Sequence, residues 1–150
     1  MPIVATSLLA LCALTGAWLD VATRRLPNWL CLATALAGLT VTVASGGLND
    51  AISPALHAGL ALAVGMALFG SGLIGGGDAK FYAACAAWFP LSAGFWLVFA
   101  VSLAGLLLVL GWLGYRKLTR AKPSEKTGNF ALVPYGLAVA AGALSARLLL

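Results

Sequence analysis

The stretch from residue 94 to residue 115, GFWLVFAVSLAGLLLVLGWLGY, contains no charged residue. About 20 apolar residues in a helix are enough to cross the roughly 30 Å of hydrocarbon in a bilayer. The rest of the chain has the same character, since 62% of its 150 residues are hydrophobic, 9% are charged and the mean hydropathy is +1.02. A soluble domain carries about a quarter charged residues, so the composition indicates an integral membrane protein.

Five further apolar blocks accompany this stretch. Lipid offers the backbone no hydrogen-bond partner and no alternating barrel pattern is present, so each block is expected to form a helix. The first block lacks the preceding basic residues of a signal peptide and is expected to remain as a helix. The sequence predicts an all-α membrane protein with one transmembrane domain, residues 1–150, and six helices at about 2–19, 29–45, 54–73, 79–92, 94–115 and 131–149.

The basic residues are distributed unevenly between the two ends of the predicted helices. Six crossings from an outside N-terminus leave Arg147 alone on one side and place the other eight Lys and Arg residues on the opposite side. Cytoplasmic loops carry the excess of Lys and Arg. We therefore expect both termini on the periplasmic side, a hydrophilic cytoplasmic loop at 116–128 and an outer loop at 46–53.

The net charge of +5 is explained by this topology and by attraction to anionic lipid. No basic patch with interleaved aromatic residues is present, so a nucleic-acid partner is not expected. Membrane lipid is the partner that the composition itself predicts.

Only four acidic residues occur in the whole chain. Asp50 and Glu125 belong to predicted loops, where solvation is sufficient to explain them. Asp20 and Asp78 lie near the cytoplasmic ends of apolar segments, where ionisable residues are costly and are candidates for function. Two carboxyl groups held together share a proton, so one can activate water while the other polarises a carbonyl. That is the chemistry of an aspartic protease.

A simpler interpretation of the two acids is charge balance at the membrane interface, with Asp20 paired to Arg24 and Asp78 to Lys80. The three glycines at 75–77 favour the protease. A backbone without side chains permits close approach, and an irregular strand of that kind would pair with an extended peptide substrate. A plain flexible loop is the alternative interpretation of the glycines.

Metal and cofactor sites are not predicted. Cys12, Cys31 and Cys85 are widely spaced, form no C-x-x-C pair and are interpreted as buried apolar thiols. His57 stands alone near the outer end of the third predicted helix and is interpreted as an interfacial residue. The five tryptophans fall near predicted helix ends, as in an aromatic belt.

Three short segments, in this order along the chain, are similar to segments of one known family. DVATRRLPN at 20–28 resembles a first catalytic segment, with Leu26 where isoleucine is frequent. GGGDAKF at 75–81 contains a GxGD motif and resembles a second catalytic segment, and VPYGLAVAAG at 133–142 is similar to a last helix containing Pro-Tyr-Gly. Together they resemble the prepilin peptidases, which are GxGD membrane aspartic proteases. The resemblance covers nearly the full chain.

This resemblance implies removal of the basic leader from prepilins or pseudopilins at the cytoplasmic face of the bacterial inner membrane, with Asp20 and Asp78 as the catalytic aspartates. It leaves open which aspartate carries the proton. No cysteine-rich insertion separates the first two predicted helices, so it implies the short Flp/Tad-type form without methyltransferase activity. Neighbouring residues are expected to bind substrate or shape the site: Gly75, Gly76, Gly77, Lys80, Arg24, Pro27, Asn28, Pro134, Tyr135 and Gly136.

Two functions of other classes are the alternatives. A small polytopic transporter would use the two acids to relay protons or bind a cation. It would place them near mid-membrane and show repeated halves, and no convincing repeat is present. A catalytically silent assembly protein of a secretion system would bind pilins without cutting them.

Overall fold

The computed structural model describes residues 2–119 and 135–150. These residues form six α-helices and one 3₁₀ turn, Leu91–Ala93, with no strand among them. The all-helical architecture and the order of six helices predicted from the sequence are confirmed. The helices are α1 (Pro2–Thr23), α2 (Asn28–Gly46), α3 (Leu48–Gly70), α4 (Gly76–Ala86), α5 (Gly94–Thr119) and α6 (Tyr135–Leu149).

Four stretches of the described chain are long and apolar enough to cross a membrane. They are Ile3–Thr23, Asn28–Gly46, Leu48–Gly70 and Leu91–Tyr115. The other two helices are shorter, since α4 has 11 residues and α6 has 15, which correspond to about 16 and 22 Å at 1.5 Å per residue. The chain is a multi-pass membrane protein, and the fourth helix is shorter than the predicted 79–92.

The short helix α4 lies in the middle of the bundle and packs against α1, α2, α3 and α6. Small buried residues such as Ala79, Ala83 and Ala86 let the neighbouring helices approach it closely. Phe81 is fully buried, and its ring occupies the space that a side chain at Gly16 of α1 would need. The outward faces of the longer helices carry exposed leucines, as expected of surfaces in contact with lipid.

The predicted outer loop at 46–53 is wrong. α2 ends at Gly46, α3 begins at Leu48, and only Gly47 separates them, at a φ of 89° that favours glycine. The polar residues that suggested a loop belong to the beginning of α3. Asp50 lies in its first turn, where the helix dipole stabilises a negative charge.

The end of α3 is closed by two backbone hydrogen bonds. The Leu73 N–H donates to the Leu68 carbonyl at 3.0 Å, and the Gly72 N–H donates to the Phe69 carbonyl at 2.9 Å. Gly72 has a φ of 77°. This pair of bonds around a left-handed glycine is a Schellman motif, which satisfies the last carbonyls of a helix.

The irregular strand predicted for the three glycines is wrong for two of them. Gly75 is extended, with a φ of −73° and a ψ of 140°, and precedes α4 as its N-cap residue. Gly76 and Gly77 already belong to the first turn of α4. The Gly75 carbonyl accepts the Ala79 N–H at 3.0 Å, so this hydrogen bond starts the helix before Asp78 rather than after it.

The break between α4 and α5 receives hydrogen bonds from α3. Backbone groups freed by a helix break in a membrane protein need partners. His57 Nδ1 donates to the Phe89 carbonyl at 3.1 Å, and the Ser53 hydroxyl accepts the Leu91 N–H at 2.9 Å. His57 is buried, so its predicted interfacial position is wrong.

Trp88 is also buried and does not belong to an interfacial belt. Its Nε1–H donates to the Thr34 carbonyl at 2.9 Å, and its ring lies over Gly38, where a Cβ would approach it to 2.8 Å. The aromatic-belt interpretation is therefore wrong for this residue, which joins α2 to the end of α4.

Two further predictions concern the cysteines and the cytoplasmic loop. Cys12, Cys31 and Cys85 are free, and the last two are buried, as predicted for apolar thiols. α5 continues to Thr119, so the first residues of the predicted loop 116–128 are helical. The remainder of that loop lies outside the described residues.

Candidate active site

Asp20 lies near the C-terminus of α1 and contacts the start of α6. Its side chain is 7% exposed, and its Oδ2 accepts the backbone N–H of Gly136 at 2.7 Å. Gly136 is the second residue of α6. N–H groups at that position have no partner within the helix, and the helix dipole there favours a negative charge. Asp20 therefore caps a helix that begins more than a hundred residues later.

Gly136 permits this contact because it has no side chain. A Cβ at this position would lie 2.8 Å from Asp20 Oδ2 and 3.0 Å from Asp20 Cβ, so any other residue would displace the carboxyl group or the helix. Gly136 thus has a steric reason to shape the site, although its functional role stays a prediction. Pro134 lies outside the described residues.

Asp78 is the third residue of α4 and is half-buried. A Cβ at Gly75 would lie 2.7 Å from Asp78 Oδ2, so glycine leaves room for the carboxyl group to turn back over the start of the helix. A Cβ at Gly77 would lie 3.4 Å from the Cβ of Leu26. The connection between α1 and α2 therefore reaches the first turn of α4.

Gly76 has a separate packing role. A Cβ there would lie 3.2 Å from the ring of Phe69, so the start of α4 packs against the end of α3. The three glycines thus make room for Asp78, for α3 and for the connection after α1.

The structure brings Asp20 and Asp78 together at one end of the bundle. They lie close enough for their charges to interact. The packing of Phe81 over Gly16 explains the approach, because these residues stand one turn from Asp78 and one turn from Asp20 on the same helix faces. The two carboxyl groups that the sequence singled out therefore lie at the same end of the bundle, within range of each other's charge.

Asp78 also faces a groove of 510 Å³ between α3, α4 and α5, which Tyr82 and Tyr135 line with it. Tyr82 follows Asp78 by one helical turn. Tyr135 begins α6 and lies within reach of the Asp78 charge. Asp78 is thus open to a molecule in the groove, whereas Asp20 is held on the protein side by α6.

Lys80 turns away from the acidic pair. Its Nζ donates to Asn28 Oδ1 at 3.1 Å, and among the described residues no ion pair joins it to Asp78. The charge-balance interpretation of Asp78 and Lys80 is therefore wrong.

Pro27 is the N-cap residue of α2, and its carbonyl accepts the Leu30 N–H at 3.1 Å.

Arg24 contributes to the site through its backbone. It follows α1 directly and has a φ of 55°, in the left-handed region. Its N–H donates to the Asp20 carbonyl at 3.0 Å, which closes α1 as an αL cap does. The side chain is exposed.

Gly16, Phe81 and Tyr82 lie next to the acidic pair and were not among the residues predicted for the site. Gly16 precedes Asp20 by four positions, while Phe81 and Tyr82 follow Asp78 by three and four. These spacings place side chains on one helix face, so the helical repeat around each aspartate was the available signal.

The arrangement joins a carboxyl group hydrogen-bonded to a helix N-terminus with a second one that faces a groove. Two carboxyl groups that approach to hydrogen-bond distance share one proton and activate water, and the bundle holds Asp20 and Asp78 within range of each other's charge. Among the described residues, no group of three or more His, Cys, Asp or Glu side chains is arranged to bind a metal ion.

The model of the type IV leader peptidase family matches residues 7–110, a range that contains both aspartates. Neither the curated proteins nor the solved structures contain a significant match.

Proposed function

Because the chain belongs to the type IV leader peptidase family, we propose that it removes the basic leader of prepilins or pseudopilins, with Asp20 and Asp78 as catalytic residues. The observation that carries this proposal is the meeting of two carboxyl groups from distant parts of the chain, close enough for their charges to interact. The family match supports a peptidase and offers no support for the transporter alternative.

The surroundings of the two carboxyl groups suggest different tasks. Asp20 accepts the backbone N–H of Gly136 at the start of α6, which holds its carboxyl group in place. Asp78 faces the groove and receives no hydrogen bond from the described residues. We assign Asp20, which is held by α6, as the general base and Asp78, which faces the groove, as the general acid.

The reaction is hydrolysis of one peptide bond without a covalent enzyme intermediate. Asp20 takes a proton from a water molecule while the oxygen of that water bonds to the scissile carbonyl carbon. Asp78 donates its proton to the carbonyl oxygen. The tetrahedral intermediate then breaks its C–N bond. The leaving nitrogen takes a proton from Asp20, while Asp78 regains one from the hydroxyl of the intermediate. The products are a carboxylic acid and an amine, and both aspartates return to their first state.

The location follows from the charges near the site. Arg24, Arg25 and Lys80 lie at the same end of the helices as Asp20 and Asp78, and basic residues mark the cytoplasmic side. The scissile bond is therefore cut at the cytoplasmic face of the bacterial inner membrane, and both ends of the chain lie in the periplasm.

A short connection supports the Flp/Tad-type form of the family. Only four residues, 24–27, separate α1 from α2. That connection leaves no room for the cytosolic domain associated with methylation of the new pilin terminus, so we propose a peptidase without methyltransferase activity.

The test is to co-express the chain with a prepilin and follow leader removal by mass. Asp20→Asn and Asp78→Asn keep the shape of the side chain and remove its ionisable group. Each is expected to slow cleavage at least about 100-fold, because general acid–base catalysis contributes factors of that size. Wild-type cleavage by either variant contradicts the catalytic pair.

Asp50→Asn is the matched control. Asp50 lines a separate cavity with Arg147 at the other end of the bundle, so its amide variant is expected to cleave at the wild-type rate.

A further inference from the structure

A cavity of 650 Å³ lies at the end of the bundle opposite the acidic pair, between the end of α2, the start of α3 and the end of α6. Its volume is within the roughly 300–1,000 Å³ of small-molecule sites. Asp50 and Arg147 both line it. In the part of the chain that the structure describes, no hydrogen bond or ion pair joins these two side chains. The cavity therefore presents one negative and one positive group that do not neutralise each other.

The wall formed by α2 and α3 offers hydrogen-bond acceptors. The Thr42 and Ser45 hydroxyls donate to carbonyls one turn earlier in α2, at 3.0 and 2.9 Å. Because a hydroxyl has one proton, only its oxygen is then left for a ligand. Asp50 Oδ2 occupies the space that a Cβ at Gly46 would need, which places the carboxylate beside the same end of α2. This wall suits a cation that has several N–H groups to donate, such as a primary ammonium group.

The wall formed by α6 offers donors. Arg147 lies in the last turn of α6, where the helix dipole favours a positive charge. Its guanidinium group has five N–H donors and no acceptor, and the planar arrangement of these donors matches the oxygens of a phosphate group. This wall suits an anion of that kind.

The two walls together disfavour simple ions. An inorganic anion at Arg147 would be repelled by Asp50, and a metal cation at Asp50 would be repelled by Arg147. A molecule that carries both a phosphate and an ammonium group is attracted by both walls. The chemistry of the cavity therefore indicates a zwitterion.

The position of the cavity indicates where such a molecule comes from. The cavity lies where one stretch able to cross a membrane, Asn28–Gly46, ends and the next, Leu48–Gly70, begins. This is the level of the lipid head groups. The buried part of the lining is apolar and includes Ala5, Pro54 and Trp88, so it fits the less polar part of a lipid molecule.

We propose that this cavity binds the head group of a phospholipid that carries a primary ammonium group, with the ammonium at Asp50 and the phosphate at Arg147. The Thr42 and Ser45 oxygens accept further N–H groups of the ammonium. The glycerol and the first carbons of the acyl chains lie against the apolar lining. This site is separate from the acidic pair, and its occupation does not depend on the proposed peptidase function.

The experiment measures lipid binding to the purified, delipidated full chain by native mass spectrometry. The probes are phosphatidylethanolamine, phosphatidylcholine and phosphatidylglycerol with identical acyl chains. The first ethanolamine lipid is expected to bind about tenfold more tightly than either other lipid, the contribution of a hydrogen-bonded charge. The choline group has no N–H to donate, and the glycerol head group has no ammonium. Equal affinities for the three lipids overturn the proposal.

Two variants test the two walls separately. Asp50→Asn is expected to lower the affinity for the ethanolamine lipid about tenfold and that for the choline lipid less, so the preference between them shrinks. Arg147→Gln is expected to weaken both lipids about tenfold, because both carry the phosphate. A preference for the ethanolamine lipid that survives Asp50→Asn unchanged overturns the proposal. Because the preference is a ratio measured on folded protein, a partial loss of folding does not alter it.

Arg25→Gln is the matched control for charge. Arg25 is exposed in the connection between α1 and α2, at the other end of the bundle. Its replacement removes the same charge as Arg147→Gln and is expected to leave the affinities for both lipids unchanged. Equal losses in the two arginine variants would show that binding follows net charge, and would overturn the site.

The head group without acyl chains distinguishes a lipid from a soluble ligand. Glycerophosphoethanolamine is expected to bind at least about tenfold more weakly than the ethanolamine lipid, because it has no acyl carbons to bury against the apolar lining. If it binds as tightly as the lipid, the cavity takes a soluble molecule and the assignment to a lipid is overturned.

Discussion

At the scale of single residues, the candidate site depends on a glycine, which has no reactive side chain. Gly136 brings the N-terminus of α6 to within 2.7 Å of Asp20 Oδ2. A side chain at this position would occupy the place of the carboxyl group. The position of a carboxyl group proposed to act in catalysis is therefore fixed by a residue that is itself unable to react.

Gly136→Ala is predicted to impair cleavage more than stability. The added methyl group displaces Asp20, and a misplacement of about 1 Å at a catalytic group costs roughly 100-fold in rate. The measurement is the initial rate of leader removal. Gly59→Ala is the control, because a Cβ at Gly59 meets no atom within 4 Å. Equal rates for the two variants contradict the prediction.

Arg24 is strained at the end of α1. An L-residue in the left-handed region costs about 1–2 kcal/mol, and glycine avoids that cost. Arg24→Gly is therefore predicted to be more stable than Arg24→Ala by about 1 kcal/mol, although both variants lose the same charge. Thermal unfolding in detergent measures the difference, and an alanine variant as stable as the glycine variant contradicts it.

At the scale of helices, α5 and α6 pack so closely that their backbones are in contact at Gly142. A Cβ at Gly142 of α6 would lie 2.6 Å from the backbone nitrogen of Val101. Because backbone cannot move aside as a flexible side chain does, this contact sets the distance between the two helices.

Gly142→Ala is predicted to lower the free energy of unfolding by about 1–3 kcal/mol, the usual cost of overpacking. Gly111→Ala on α5 is the control, since a Cβ there meets nothing within 4 Å. It is expected to be neutral or slightly stabilising. Comparable melting temperatures for the two variants contradict the prediction, because α5 and α6 would then move apart without loss of stability.

The helices were predictable from composition, and their ends were not. Charge-free runs are long enough to identify α1, α2, α3 and α5. Asn49 and Asp50 suggested a loop because such residues favour turns, but the same residues also fit the first turn of a helix. The end of α4 depends on hydrogen bonds from Ser53 and His57, and the sequence around α4 does not predict these bonds.

At the scale of the whole molecule, the charges predict which end of the bundle faces which side of the membrane. Arg25 lies in the connection next to the site, and Asp50 lies at the opposite end of α2 and α3. Both side chains are exposed. The positive-inside bias predicts that they face different compartments.

Single cysteines test this orientation after Cys12, Cys31 and Cys85 are replaced. A membrane-impermeant maleimide is predicted to label Asp50→Cys in cells whose inner membrane is intact. Arg25→Cys is expected to react only after permeabilisation. The reverse pattern would place the acidic pair on the periplasmic side and contradict cleavage at the cytoplasmic face.

The two acidic residues of the candidate site could be predicted from the sequence, but the contacts that position them could not. Two aspartates in so apolar a chain attract attention without any structure, and their motifs resemble one family. The contact of Asp20 with α6 joins residues 116 positions apart, and helical spacing says nothing about such a distance. The three glycines suggested a substrate strand, but Gly76 and Gly77 form the first turn of α4, where they permit close packing against α3 and Leu26.

The hydrogen bond between Asp20 and Gly136 also sets an order of events during synthesis. Asp20 leaves the ribosome long before Gly136, and until α6 has been inserted its carboxyl group lacks the partner that holds it in place. If Asp20 acts as proposed, a partly made chain is an incomplete protease. We then expect cleavage to begin only after α6 has entered the membrane.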